Sequence, residues 1–215
     1  MKIACLQFSP QVGDVENNFT RANAILNKAN PEDIDLLVLP EMAFSGYNFS
    51  SLEQITPYLE PTSSVTAGYP EKVGSLSKSS EPEYYNSTVT VNKEGKAIAN
   101  YRKSFLYYTD ETWAHEGPGF FSGKIDGLGN VAMGILLEPI LRAETTGEII
   151  IVLANRCGTE GEATYAGTTS VIGIQDGEVK VYGILGRGEE ELLVVDTDEL
   201  PRAKIVSQPR PTESN

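Results

Sequence analysis

The sequence predicts an α/β protein built on a mixed sheet or two packed sheets. Three observations predict it. Continuous apolar runs, such as Leu36-Leu37-Val38-Leu39 and Ile149-Ile150-Ile151-Val152-Leu153-Ala154, suit strands buried on both faces. A helix-spaced segment separates the first two strand patterns. It makes a β-α-β unit, which implies a right-handed crossover and parallel strands. Elsewhere, alternating stretches flank Glu94-Gly95 and Gln175-Asp176-Gly177 and read as hairpins.

The elements follow in order. Lys2 to Phe8 is the first strand, with Cys5 as a small buried apolar residue. Phe19, Ala22, Ala24, Ile25, Leu26 and Ala29 lie close to helical spacing, so a helix is expected over 17–29. Asp14 or Asn17 is positioned to cap it, and Asn30-Pro31 to stop it. The next strand, 35–40, ends at Pro40, which has no N–H for a ladder. Leu52 to Leu59 suits a short helix. Val65 to Tyr69 reads as a strand ending at Pro70-Glu71, and Lys72 to Glu83 as a solvated loop. Strands are expected at 86–92, 96–101, 130–136, 149–154, 168–174 and 191–196, with 178–184 pairing back on 168–174. The expected domain covers residues 1–206, and residues 207–215 form a polar tail.

Composition narrows the function classes. The chain has 215 residues, enough for one sizeable core, with 40% hydrophobic and 22% charged residues. Its net charge of -13, from 17 basic against 30 acidic residues, argues against nucleic acid or an anionic membrane as partner. Two cysteines, Cys5 and Cys157, are too few for a disulfide framework and suit a reducing compartment, so a cytoplasmic location is expected. No apolar run approaches the length of a membrane span, and the N-terminus does not read as a secretory signal.

Ionisable groups at strand ends are the candidates for chemistry. Glu41 sits where a buried strand opens into a loop. Desolvation there would raise its pKa toward the range of a general base, although a helix-start acid or a solvated turn residue reads the same way locally. Lys103 follows an apolar strand, either as a fixed cation of a site or as the flank of a sheet edge. Glu111, eight residues later, reads by itself as a solvated loop acid. His115 is the only histidine, with no Cys or His partner at ligand spacing, so no metal is expected. The glycines near 117–129 and 183–188 are not followed by a helix pattern and make no phosphate loop, so no cofactor is expected either.

Several short motifs in one order carry a resemblance. They are Leu39-Pro40-Glu41-Met42, Gly68-Tyr69-Pro70-Glu71, Tyr85-Asn86-Ser87-Thr88, Tyr101-Arg102-Lys103, Ala154-Asn155-Arg156-Cys157-Gly158-Thr159-Glu160 and Tyr165-Ala166-Gly167-Thr168-Thr169-Ser170. Together they resemble the nitrilase superfamily of carbon–nitrogen hydrolases, from Met1 to about Asp198. The wording of 154–170 and 182–196 is most similar to the fungal protein N-terminal amidases of that superfamily. The resemblance implies an α-β-β-α sandwich and a Glu-Lys-Cys site acting on amides. Glu41 matches the general base, Lys103 the cation that steadies the tetrahedral intermediate, and Glu111 the second carboxylate. Implied partners are protein or peptide N-termini bearing Asn or Gln, or small amides, with pairing of copies through one sheet as in relatives.

One departure stands out. The family's nucleophilic cysteine follows a strand, and here that place reads Gly134-Ile135-Leu136-Leu137-Glu138. Leu136 cannot form an acyl intermediate. The family also carries several tens of residues where this chain has only Pro139 to Gly147, so the fold is expected to lack an internal segment. Cys157 is a second candidate thiol by its place after a buried strand, but its position is not the catalytic one in the family. Two functions are therefore carried forward: deamidation of N-terminal Asn or Gln, and a catalytically inactive homologue with a binding role only. Without the thiol, enzyme-like turnover is not expected of the chain as written.

Overall fold

The computed structural model describes residues 1–60, 67–74, 81–134, 147–176 and 178–206. In chain order the elements are β1 (Lys2–Gln7), α1 (Val15–Leu26), β2 (Leu36–Val38), α2 (Leu52–Ile55), β3 (Gly68–Val73), β4 (Glu83–Val91), β5 (Ala97–Arg102), β6 (Phe121–Ile125) and β7 (Gly129–Met133). They continue with β8 (Ile149–Leu153), β9 (Thr159–Glu160), β10 (Ala163–Thr164), β11 (Ser170–Gln175), β12 (Glu178–Ile184), β13 (Glu191–Asp196) and β14 (Ala203–Val206).

Alternation along β1 sets the layers. Ala4 and Leu6 face one side with Phe8, and pack on Ala22 and Ile25 of α1. Ile3 and Cys5 face the other side and pack on Val171 and Tyr182 of a second sheet. The first sheet has the order β13-β1-β2, and the second β14-β12-β11-β8. β1 is parallel to β2, as the β-α-β pattern predicts, and antiparallel to β13. The result is helix on sheet on sheet, an α/β sandwich. Gly183 lets the sheets close up, since a Cβ there would lie 2.8 Å from Leu193 Cδ1 and Val195 Cγ1. α1 is the one helix of more than four residues among the described residues, so the fourth layer of an α-β-β-α sandwich is not seen among them.

Several expectations are corrected. The strand before Glu41 is only Leu36–Val38 and lies at a sheet edge, so it is not buried on both faces: Leu37 is 43% exposed. The strand expected to end at Pro70-Glu71 instead runs through them to Val73. β3 is the edge of its sheet, where proline's missing N–H is tolerated. Lys72 and Val73 therefore belong to a strand and not to the loop. β4 and β5, expected within the stacked sheets, form a separate three-stranded sheet with β3. The strand expected at 130–136 is Gly129–Met133, and it pairs with β6, which the sequence pattern missed. Asp14 occupies the N-cap of α1 without capping it through its side chain; it accepts from Asn17 Nδ2 instead. Residues 135–136, most of the short connection after them, and the expected tail 207–215 lie outside the described residues.

The layering predicts unequal costs for two leucines. Leu6→Ala, in the fully buried face of β1, is expected to cost about 2–5 kcal/mol. Leu37→Ala, at the edge, should cost about 1 kcal/mol or less. Urea unfolding of both variants measures the difference.

Candidate active site

The site forms where three chain segments meet. Hairpin β4–β5 supplies two of its members. Backbone pairing continues past β5, because Lys103 N–H donates to the Asn86 carbonyl at 2.8 Å. Successive side chains of an extended strand point to opposite faces. Arg102 therefore turns to Glu71 on β3, with Nε 2.8 Å from Oε2 and Nη2 3.0 Å from Oε1. Lys103 turns the other way, into the site. The Arg102–Glu71 fork thus ties β3 and β5 together and fixes which face Lys103 occupies.

Lys103 Nζ lies 2.9 Å from Glu41 Oε1 and 2.7 Å from Asp110 Oδ2. Asp110 comes from a short 3-10 turn, Asp110–Thr112, just after the Lys103 strand. Its carboxylate also accepts from Tyr47 Oη at 3.0 Å and from the Tyr107 N–H at 3.1 Å. Asn86 Nδ2 donates to both Glu41 Oε1 and Asp110 Oδ1. With two carboxylates on that side, only the NH₂ end of the amide fits there. Burial pulls the proton affinity of Lys103 down. The Glu41 and Asp110 carboxylates outweigh it and hold the ammonium above the ordinary lysine range. Burial also pushes the Tyr47 phenol up, and the same two carboxylates add to it, so it stays a neutral donor.

Glu41 is placed by a second brace. Arg156 Nη2 donates to the Glu41 carbonyl at 2.6 Å and the Met42 carbonyl at 2.8 Å, while Nη1 meets Glu160 Oε1 at 2.6 Å. Glu160 in turn accepts from the Asn48 N–H, the Tyr47 N–H and Tyr165 Oη. The segment being held is unusual, since buried Met42 has φ 47°. Few non-glycine residues adopt that conformation, and surrounding bonds must enforce it. Gly68 closes the other side, where a Cβ would lie 2.9 Å from Met42 N and 3.1 Å from Glu41 Cα.

The residues expected to matter fall as follows. Glu41 and Lys103 meet. Glu41 is not in a dry apolar pocket, because its side chain is 26% exposed and sits against the ammonium. Glu111 is exposed, and the carboxylate that reaches Lys103 is that of its neighbour Asp110, a correction to the expected convergence. In a 3-10 turn, adjacent side chains point about 120° apart, so only one of the two can face Lys103. Cys5 is part of the packing between the two sheets, where burial pushes its thiol up to about 12. Cys157 Sγ faces the Glu189 carbonyl at 3.7 Å, and burial and Glu190 raise its pKa. Both thiols are free and buried, and neither is among the groups joined to Glu41 and Lys103. Leu136 lies outside the described residues. Sequence reasoning missed Asp110, Tyr47, Arg156 and Glu160 as site residues. Asn86, Arg156 and Glu160 stood within quoted motifs but had no role assigned.

Removing the cation tests this cluster. Lys103→Met leaves two carboxylates without their charge partner and is expected to cost about 3–5 kcal/mol at neutral pH. Because the folded state raises the lysine's proton affinity, its contribution is complete below the unfolded value of about 10.4 and is lost as pH rises through the higher folded value. The stability gap between wild type and variant should therefore hold to about pH 10 and narrow above it, as read by urea unfolding.

The geometry can be set beside known proteins. The chain is 23% identical to the protein N-terminal amidase of Schizosaccharomyces pombe, over 93% of this chain and all of that one. That alignment runs over 291 positions, more than the 215 residues of the chain can fill. It is 32% identical to the protein N-terminal amidase of Saccharomyces cerevisiae, over 59% of this chain and 31% of that one. Among solved structures, a crystal structure of N-terminal amidase with an Asn-Glu-Ala peptide superposes with a TM-score of 0.71 at 17% identity, covering 90% of this chain and 96% of that one. A mutant of the Nesterenkonia AN1 amidase, from the nitrilase superfamily, gives 0.67 at 20% identity over 94% and 91%. At such identities the superpositions show a shared fold. The family model for carbon–nitrogen hydrolases matches residues 2–130, the stretch that contains Glu41, Asn86, Lys103 and Asp110. With sequence, fold and this stretch in agreement, the chain belongs to the carbon–nitrogen hydrolase family and resembles its protein N-terminal amidases.

Proposed function

We propose that the Glu41–Lys103 site serves the deamidation of N-terminal asparagine or glutamine in proteins and peptides. The observation that carries this reading is the buried cluster of one ammonium and two carboxylates. Its net charge is negative, which suits a ligand bringing its own cation. A chain beginning with Asn or Gln presents a carboxamide and an α-ammonium together. Lys103 is placed to donate to the carboxamide oxygen and to the oxyanion that follows. Glu41, the more exposed carboxylate, is placed to accept a proton. Water would supply the new oxygen, ammonia would leave, and the side chain would become Asp or Glu. The free, buried cysteines suit a reducing compartment, and we assign the chain to the cytoplasm. No helix among the described residues is long and apolar enough to cross a membrane.

The second reading, binding without turnover, is favoured by the thiols. Neither Cys5 nor Cys157 is among the groups joined to Lys103, and Leu136 stands where the resemblance puts the family's nucleophile. Loss of the nucleophile alone costs on the order of a million-fold in a well-studied serine protease. Leu136→Cys by itself is expected to recover little ammonia release.

Calorimetry and ammonia release on one set of peptides separate the readings. A peptide with N-terminal Asn is expected to bind, and acetylating its α-amine should weaken binding by about tenfold or more through loss of the charge-assisted contact. On the deamidation reading, ammonia release exceeds that of a Glu41→Ala control; on the binding-only reading the two do not differ. Strong release that Glu41→Ala abolishes would establish catalysis and overturn the binding-only reading. Strong release sensitive to iodoacetamide would point to Cys157. Absence of both binding and release would overturn the assignment to N-terminal Asn or Gln.

A further inference from the structure

We propose that the loop from Ser104 to Phe120 is a rim that reads the residues following the substrate's first, and that it favours a basic side chain there. The inference rests on the reading of the site as one for N-terminal Asn or Gln, and adds the class of sequence that follows. Among the described residues, five Phe or Tyr side chains are exposed. Four of them lie in this one loop: Phe105 at 58%, Tyr107 at 54%, Tyr108 at 63% and Phe120 at 46%. The fifth, Phe19, packs on Phe44 with ring centroids 5.4 Å apart. Exposed aromatic surface is thus concentrated on the segment that also delivers Asp110 to Lys103.

The rim is tied to the site at both ends. The Gly117 N–H donates to the Lys103 carbonyl at 2.8 Å, and the Gly119 N–H to Ser104 Oγ at 3.1 Å. A Cβ on Gly117 would collide with the Arg102 carbonyl, so the return of the loop needs a glycine there. These bonds bring the Phe105 and Phe120 rings together, with centroids 5.8 Å apart, while the Tyr107 and Tyr108 rings lie 4.3 Å apart. The Tyr107 N–H donates to Asp110 Oδ2 at 3.1 Å. Tyr107 therefore stands within three residues, at most about 11 Å of chain, of the carboxylate that holds Lys103. A peptide with its first residue at Lys103 carries its second and third over about 7 Å beyond it.

Charge selects the side chain that suits this rim. From Ser104 to Phe120 the chain has three acids, Asp110, Glu111 and Glu116, and no Lys or Arg. Asp110 is taken by Lys103, whereas Glu111 and Glu116 are exposed. Aromatic faces attract Lys and Arg, and a nearby carboxylate adds to that attraction. The protein already uses this combination within itself: the Arg102 guanidinium lies 4.2 Å from the Tyr85 ring centroid and pairs with Glu71. In the loop the rings and the acids are left open to a basic side chain from outside.

Calorimetry with two C-terminally amidated peptides of equal charge, Asn-Lys-Ala-Ala-Ala and Asn-Ala-Ala-Ala-Lys, tests the rim. Long-range attraction to a protein of net charge -13 acts on both peptides alike. A rim beside the site favours the first, which is expected to bind about three- to tenfold more tightly, the effect of one exposed cation–π contact with an ion pair. Tyr108→Ala, and Glu111→Gln combined with Glu116→Gln, should each bring the ratio of the two affinities close to one. Tyr108 is mostly exposed, so its truncation leaves the fold intact. Equal binding of the two peptides to the wild type, or a ratio that both variants leave unchanged, would overturn the rim and leave the assignment to N-terminal Asn or Gln standing. Binding of neither peptide would overturn that assignment and the rim with it.

Discussion

The structure depends on one buried ammonium held between two carboxylates. Lys103, Glu41 and Asp110 come from a strand end, a loop and a turn, and no two of them share an element. Charges at 2.7–2.9 Å with little water attract strongly, yet each has also lost hydration. Such a cluster is stable only if every member is present and hydrogen-bonded. Asn86 and Tyr47 supply those remaining bonds. Around this point the β4–β5 hairpin, the loop after β2 and the turn at residues 107–110 are brought together, and none of the three would define a site without the others.

A second ion pair fixes the loop that presents Glu41. Arg156 and Glu160 lie more than a hundred residues further along the chain, and between them they bind backbone groups of residues 41, 42, 47 and 48. The left-handed Met42 is a local cost that these bonds offset. Binding to backbone has a functional advantage. The Glu41 side chain stays uncommitted to the brace, while its main chain is held as firmly as a strand. The sandwich supplies the platform for both ion pairs. β1 carries the chain to Phe8, whose carbonyl accepts from the Cys157 N–H, and so ties the Arg156 segment to the central sheet.

The relation to the N-terminal amidases has a physical side as well as a historical one. The described part of the chain carries the charged cluster and the braces that hold it. What covalent amide hydrolysis adds to such a cluster is a polarizable nucleophile at the mouth of the site, and that is a property of one side chain on one strand. The alignment to the S. pombe relative runs over 291 positions, more than this chain has residues.

The sequence by itself determined the parts of this protein that obey local rules. Alternation and apolar runs located β1, β4, β5, β8, β11, β12 and β13, the helix-spaced segment located α1, and glycine-bearing turns joined the hairpins. These patterns are legible because period and turn chemistry act within a few residues. The ordered motifs also made the family, Glu41 and Lys103 readable. Tertiary structure decided the rest. Leu36–Val38 reads like a central strand but lies at an edge, because a run of apolar residues does not say which neighbours a strand will have. β6 is too short and glycine-broken to stand out before β7 pairs with it. Asp110 and Glu111 are adjacent acids with nothing local to separate them, and only the turn that points one at Lys103 and the other at water tells them apart. Arg156 was legible as part of a motif, but its grip on the Glu41 main chain depends on a contact across more than a hundred residues, which no local pattern encodes.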